Sequence, residues 1–74
     1  MGWLKVLKEN KEETFPWNPD SEDETEAARK RFNHYIKQGF IACKMVERGK
    51  RGVQVSEFDP AAEEIFMLAL ADGG

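Results

Sequence analysis

Residues 65–70 read IFMLAL, apolar at every position. Side chains alternate along a strand, so Ile65, Met67 and Ala69 point to one side and Phe66, Leu68 and Leu70 to the other. A strand with water on one face would need a polar set there. This one needs both faces covered or paired with a partner, which predicts the central strand of a sheet. Only Ala71 and Asp72 separate it from Gly73-Gly74.

With 74 residues, the chain is expected to form one domain over residues 1–74, close to the lower size at which a core holds without metals or disulfides. Hydrophobic residues make up 41% and charged residues 34%, a balance that predicts a folded domain rather than a disordered chain. Cys43 is the one cysteine and cannot form an intramolecular disulfide, which points to a reducing, cytoplasmic setting. The opening MGWLKVLKEN lacks the uninterrupted apolar region of a signal peptide. The longest apolar run, Ile65 to Ala71, is about a third of the roughly 20 residues that span a bilayer, so no membrane partner is expected. Met1-Gly2 lacks the downstream Ser or Thr of a myristoylation signal. The net charge of -3 argues against a dedicated nucleic-acid binder.

Along the chain, Trp3 to Lys8 mixes large apolar and β-branched residues with lysines and reads as a strand, followed by the polar connection ENKEE. Thr14, Phe15 and Trp17 favour a second extended segment, which Pro16 confines to a sheet edge, hairpin-paired to the first. Asn18-Pro19 makes a turn, Ser21 can cap a helix and Glu24 completes the S-x-x-E capping box, predicting a helix from about Glu22 to Gln38. Its first turn is acidic, its later turns are basic, and Gly39 stands where a left-handed C-terminal residue belongs. Ala28, Phe32, Tyr35 and Ile36 share its buried stripe. FIACKMV and VQVSEF then read as two antiparallel strands joined by ERGKRG, whose two glycines permit positive backbone angles. DPAAEE, capped by Asp59 or opening a simple turn, leads into the last strand. The order β-β-α-β-β-β predicts an α+β domain, a small mixed sheet covered by one helix.

No set of residues meets the minimum of nucleophile, base and orienting group, or of three metal ligands. The reading is therefore of a non-enzyme with no cofactor, no metal and no small-molecule substrate. His34 is a lone histidine with a surface or packing role, and Cys43, alternating with Ile41 and Met45, reads as a small buried hydrophobe. The carboxylates Asp20, Glu22, Asp23, Glu24 and Glu26 lack the spacing of a calcium loop and read as a solvated cap. Lys44, Arg48, Lys50 and Arg51 surround the second hairpin, either as a solubilising tip or as a contact for an acidic partner or RNA. Trp3 and Trp17 flank the first hairpin, one ring expected in the core and the other at an interaction surface.

In length, element order, central last strand and Gly73-Gly74, the chain resembles the ubiquitin-like β-grasp proteins. That resemblance implies a β-grasp-like sheet. In the conjugated members it implies a conjugation tail, here Gly73 and Gly74, whose carboxylate is adenylated and passed to a thiol and then an amine. The anchors KVL, ET, W-N-P, E-A-A-R, QGFIA, G-K-R-G, FDPAAEEI and the final GG, in this order, are similar to a set of short, uncharacterised bacterial and phage-encoded proteins. The second likeness implies a phage or prophage origin, cytoplasmic or assembled into a virion. Two expectations follow. One is a phage-type structural or accessory subunit whose partners are proteins of a larger assembly. The other is a ubiquitin-like modifier conjugated through Gly74.

Overall fold

The computed structural model describes residues 1–69. Leu70 of the closing strand and the Gly73-Gly74 tail lie outside the described residues. The elements follow the expected order: β1 (Gly2–Lys8), β2 (Lys11–Trp17), α1 (Glu22–Lys37), β3 (Ile41–Val46), β4 (Arg51–Val55) and β5 (Glu64–Leu68). Bounds shift by a residue at several ends, and two strands differ more from the sequence reading. β2 begins at Lys11, so ENKEE contributes only Glu9-Asn10 to the turn and the rest to the strand, where register with β1 overrides local polarity. β4 begins at Arg51 and ends at Val55, because Phe58 leaves the sheet to pack against the core.

The five strands form one mixed sheet in the order β2-β1-β5-β3-β4. β1 runs antiparallel to β2 and parallel to β5, and β3 is antiparallel to both β5 and β4. β5 is the central strand, as its two apolar faces require. β2 is an edge, where Pro16 costs no interior ladder bond. With one helix covering the sheet, this is an α+β architecture compatible with a small β-grasp-like fold.

Both ends of α1 are closed by their own sequence. Ser21 Oγ accepts from the Glu24 N–H at 3.2 Å. The Glu24 carboxylate reaches past the cap residue to accept from the Asn18 N–H at 2.8 Å, because the Ser21 N–H is already donated to the Asn18 carbonyl. At the far end Gly39 takes φ 96°. The Phe40 N–H bonds to the Tyr35 carbonyl and the Gly39 N–H to that of Ile36, each at 3.0 Å. This is a Schellman closure, and the Tyr35 and Phe40 rings supply its apolar contact with centroids 4.9 Å apart.

Leu4 and Val6 of β1, Ile65 and Met67 of β5 and Ala42 of β3 meet Ala28, Phe32 and Tyr35 of the helix. Trp17 and Phe32 are fully buried, and Phe58 lies between their rings, 5.0 and 5.8 Å away. The Trp17 indole donates to the Pro60 carbonyl at 3.2 Å, satisfying its one polar atom. The DPAAEE segment is a simple turn: the Ala62 N–H returns to the Asp59 carbonyl, and the Asp59 carboxylate accepts from the Ala61 N–H. In the β3–β4 connection Glu47, Arg48 and Gly49 take positive φ, whereas Gly52 lies in β4 opposite Met45. Only one of the two glycines of ERGKRG therefore serves the turn.

Candidate protein-docking surface

α1 covers one face of the sheet, and among the described residues the other face stays bare. Pairing register defines what stands there, since residues directly opposite each other point the same way. Leu7, Leu68 and Ile41 form one row across β1, β5 and β3. Lys5, Phe66 and Cys43 form the next, and Trp3, Glu64 and Met45 the third. Seven of these nine positions are apolar. Trp3 is 42% exposed and the other apolar members are half-buried by one another. Contiguous apolar surface, where it is extensive, marks a contact site.

The two charged members cancel. Lys5 Nζ lies 2.8 Å from Glu64 and 5.5 Å from the Phe66 ring centroid, its stem laid over apolar neighbours. The hydrogen bond to Glu64 raises the Lys5 pKa above its ordinary 10.5, against an opposing desolvation, with the Glu64 and Glu12 charges adding to the rise. The surface therefore presents an apolar centre with no net charge. Its polar margin runs through Glu12, Thr14, Gln54 and Gly52.

The residues singled out from sequence separate into three places. Trp3 lies on the bare face, while Trp17 is completely buried on the helix side, so interaction at Trp17 is corrected to a core role. Lys44 projects to the helix side and bonds Asp59 at 2.8 Å, holding the Asp59 carboxyl below its ordinary 3.8, with the Ala61 N–H assisting. Its charge is thus spent within the fold. Arg48, Lys50 and Arg51 are exposed at the hairpin and, among the described residues, form no ion pair. Cys43 is half-buried on the bare face, not in the core, because β3 turns Ala42 rather than Cys43 toward the helix. His34 is exposed and hydrogen-bonded to Gln38 at 2.9 Å. Gly73 and Gly74 lie outside the described residues.

Of the nine positions only Trp3 is an interaction candidate from sequence; Leu7, Lys5, Phe66, Leu68, Ile41, Glu64 and Met45 are not. The signal that could have found them is the one in β5. If Phe66 and Leu68 face away from the helix, every neighbour in register with them does too.

Among the described residues no cluster of three or more His, Cys, Asp or Glu side chains is positioned to hold a metal ion. A hollow of about 550 Å³ is open to solvent at the acidic start of α1 between Pro19, Glu22, Asp23, Glu26, Arg29 and Pro60. No helix is long and apolar enough to cross a membrane among the described residues. No protein-family model matches the chain, and neither the curated proteins nor the solved structures hold a significant match.

Proposed function

We propose that the chain is a non-catalytic protein-interaction domain that docks onto a larger protein through the bare face of its sheet. The observation that carries this is the nine-position block around Phe66, seven of whose members are apolar while its two charges neutralise each other. Removing such surface from water is favourable by roughly 25 cal/mol per Å², and a half-exposed indole such as Trp3 is the kind of anchor that concentrates binding energy. The neutral centre fits a partner whose matching surface is itself largely apolar. In this reading the chain is a phage- or prophage-type structural or accessory subunit within a larger assembly.

The test uses the wild-type chain, Trp3→Ala and Phe66→Asp as baits in lysate of the native host, after circular dichroism has shown all three folded. Proteins retained by the wild type, whether or not the variants retain them, are then purified and titrated individually against all three chains. Trp3→Ala should weaken binding about tenfold or more, with little change in melting midpoint. Equal binding of all three chains to the purified partner refutes the docking face.

The strand order favours a second reading, a ubiquitin-like modifier, in which Gly74 is joined to an amine after ATP-dependent activation. It requires covalent adducts in native-host lysate with ATP whose mass spectra show the Gly74 isopeptide, and their loss on removal of Gly73 and Gly74. Docking, by contrast, should survive that truncation.

A further inference from the structure

The sheet has two outer strands, and they are protected differently. β2 carries Pro16 and packs beside α1. β4 lies at the opposite edge without a proline, and Arg51, Gly52, Val53 and Gln54 are all exposed. An edge of this type offers unpaired backbone N–H and C=O groups to any strand of matching pattern.

The strand of matching pattern is β4 itself. Residues 51–57 read RGVQVSE, symmetric about Gln54: a valine on each side, then Gly52 and Ser56, then the opposite charges Arg51 and Glu57. We propose that β4 pairs antiparallel with β4 of a second copy of this chain, about a two-fold axis through Gln54. Gln54 then faces Gln54, each Val53 faces the other copy's Val55, and each Arg51 approaches the other copy's Glu57. A two-fold contact repeats every pair twice, so a self-complementary pattern is what closes it.

Three structural observations support this register. Arg51, Val53 and Val55 project to the same, helix-side face, as their pairing with Val46, Lys44 and Ala42 shows. Val53 is 36% exposed, so the valine pairs cover surface left open in the single chain. Neither Arg51 nor Glu57 forms an ion pair among the described residues. Glu57 stands in the bend after β4, so the long Arg51 side chain completes the contact beyond the regular ladder. Registers centred on Val53 or Val55 lose this match: the first sets Arg51 against Val55 and Glu57 against Gly49, the second sets Val53 against Glu57.

Pairing about Gln54 keeps both helices on one side of a joined sheet and both bare faces on the other. If those faces dock partners, the pair presents two sites to one assembly. The contact itself needs no such partner. It spans one short strand per copy, below the size of a standard stable interface, so a reversible equilibrium is expected rather than a permanent dimer.

Sedimentation equilibrium of the whole chain from about 10 μM to about 1 mM covers the range in which such a contact dissociates. The wild type should show a monomer–dimer equilibrium that weakens with salt. Arg51→Glu and Glu57→Arg should each weaken dimerisation about tenfold or more, since each reversal sets two like-charge pairs face to face. The double variant Arg51→Glu/Glu57→Arg should return to within about threefold of the wild type. Gln54→Lys, which brings two like charges together on the axis, should be monomeric yet melt close to the wild type. A wild type that stays monomeric throughout, or a charge swap that fails to restore what the single reversals lose, overturns the proposal. So does a dimer abolished by Phe66→Asp and untouched by Gln54→Lys, which would locate the contact on the bare face.

Discussion

Replacing Gly2 by alanine tests the packing of this fold at its tightest point. Local propensity predicts a gain: an alanine is preferred to glycine in a strand interior and restricts the unfolded chain, worth about 0.4–1 kcal/mol where the backbone tolerates it. The tertiary structure predicts a loss. Gly2 is buried opposite Trp17 in the β1–β2 ladder, and a Cβ built on it would stand 2.5 Å from Trp17 Cη2 and closer still to Cζ2 and Cε2. These are atoms of a rigid ring, not of a flexible side-chain tip. The ring is fully buried, packed at a tilt against Phe58 and tied to the Pro60 carbonyl, so it cannot swing aside without breaking those contacts. Overpacking of this type costs about 1–3 kcal/mol, more than the propensity gain, leaving Gly2→Ala destabilised by about 1–2 kcal/mol. In a domain of this length that lowers the melting midpoint by about 5–15 °C. Urea unfolding followed by tryptophan fluorescence gives the free energy directly. In a Trp17→Phe background, which removes the offending ring atoms, the added cost of Gly2→Ala should shrink toward zero. An alanine at position 2 that leaves the midpoint unchanged or raises it, or a cost undiminished beside Phe at position 17, refutes the close approach.

Two further outcomes follow from the core and from the Lys44–Asp59 ion pair. Phe32 is fully buried against Phe58, so Phe32→Ala should cost about 3–5 kcal/mol out of the roughly 4–11 kcal/mol expected for a chain of this size; thermal melting with an unchanged midpoint would remove Phe32 from the core. Asp59 is held below its ordinary pKa by Lys44, so the folded state binds this proton less readily than the unfolded chain. Its contribution is present above the ordinary pKa of 3.8 and is lost as pH falls through the lower folded value. Lys44→Met should therefore flatten the acid limb of a melting-versus-pH profile, and an acid limb identical to the wild type would show that the pair does not couple to folding.

Much of the architecture is written locally. Ser21, Glu24 and Gly39 delimit α1 because cap residues act on the backbone within one turn, and the unbroken apolar run of residues 65–70 predicts a central strand because neither of its faces suits water. Pro16 marks β2 as an edge for an equally local reason, the missing N–H. Where a residue's role depends on a distant neighbour, local pattern stops short. The sequence offers Trp3 and Trp17 as equals at the ends of one hairpin. Pairing sets them on opposite faces, and Phe58 and Pro60, some forty positions on, take Trp17 into the core. Lys44 reads as part of a basic hairpin until Asp59 is found beside it. Cys43 alternates like a core residue, and only the side on which α1 lies decides that Ala42 is inside and Cys43 on the bare face. By itself, then, the sequence determined which segments form helix and strand and which strand must be central, since those follow from side-chain period and caps. The tertiary structure alone decided which face stays bare and which charges are left over, because a single helix covers only one side of a five-stranded sheet.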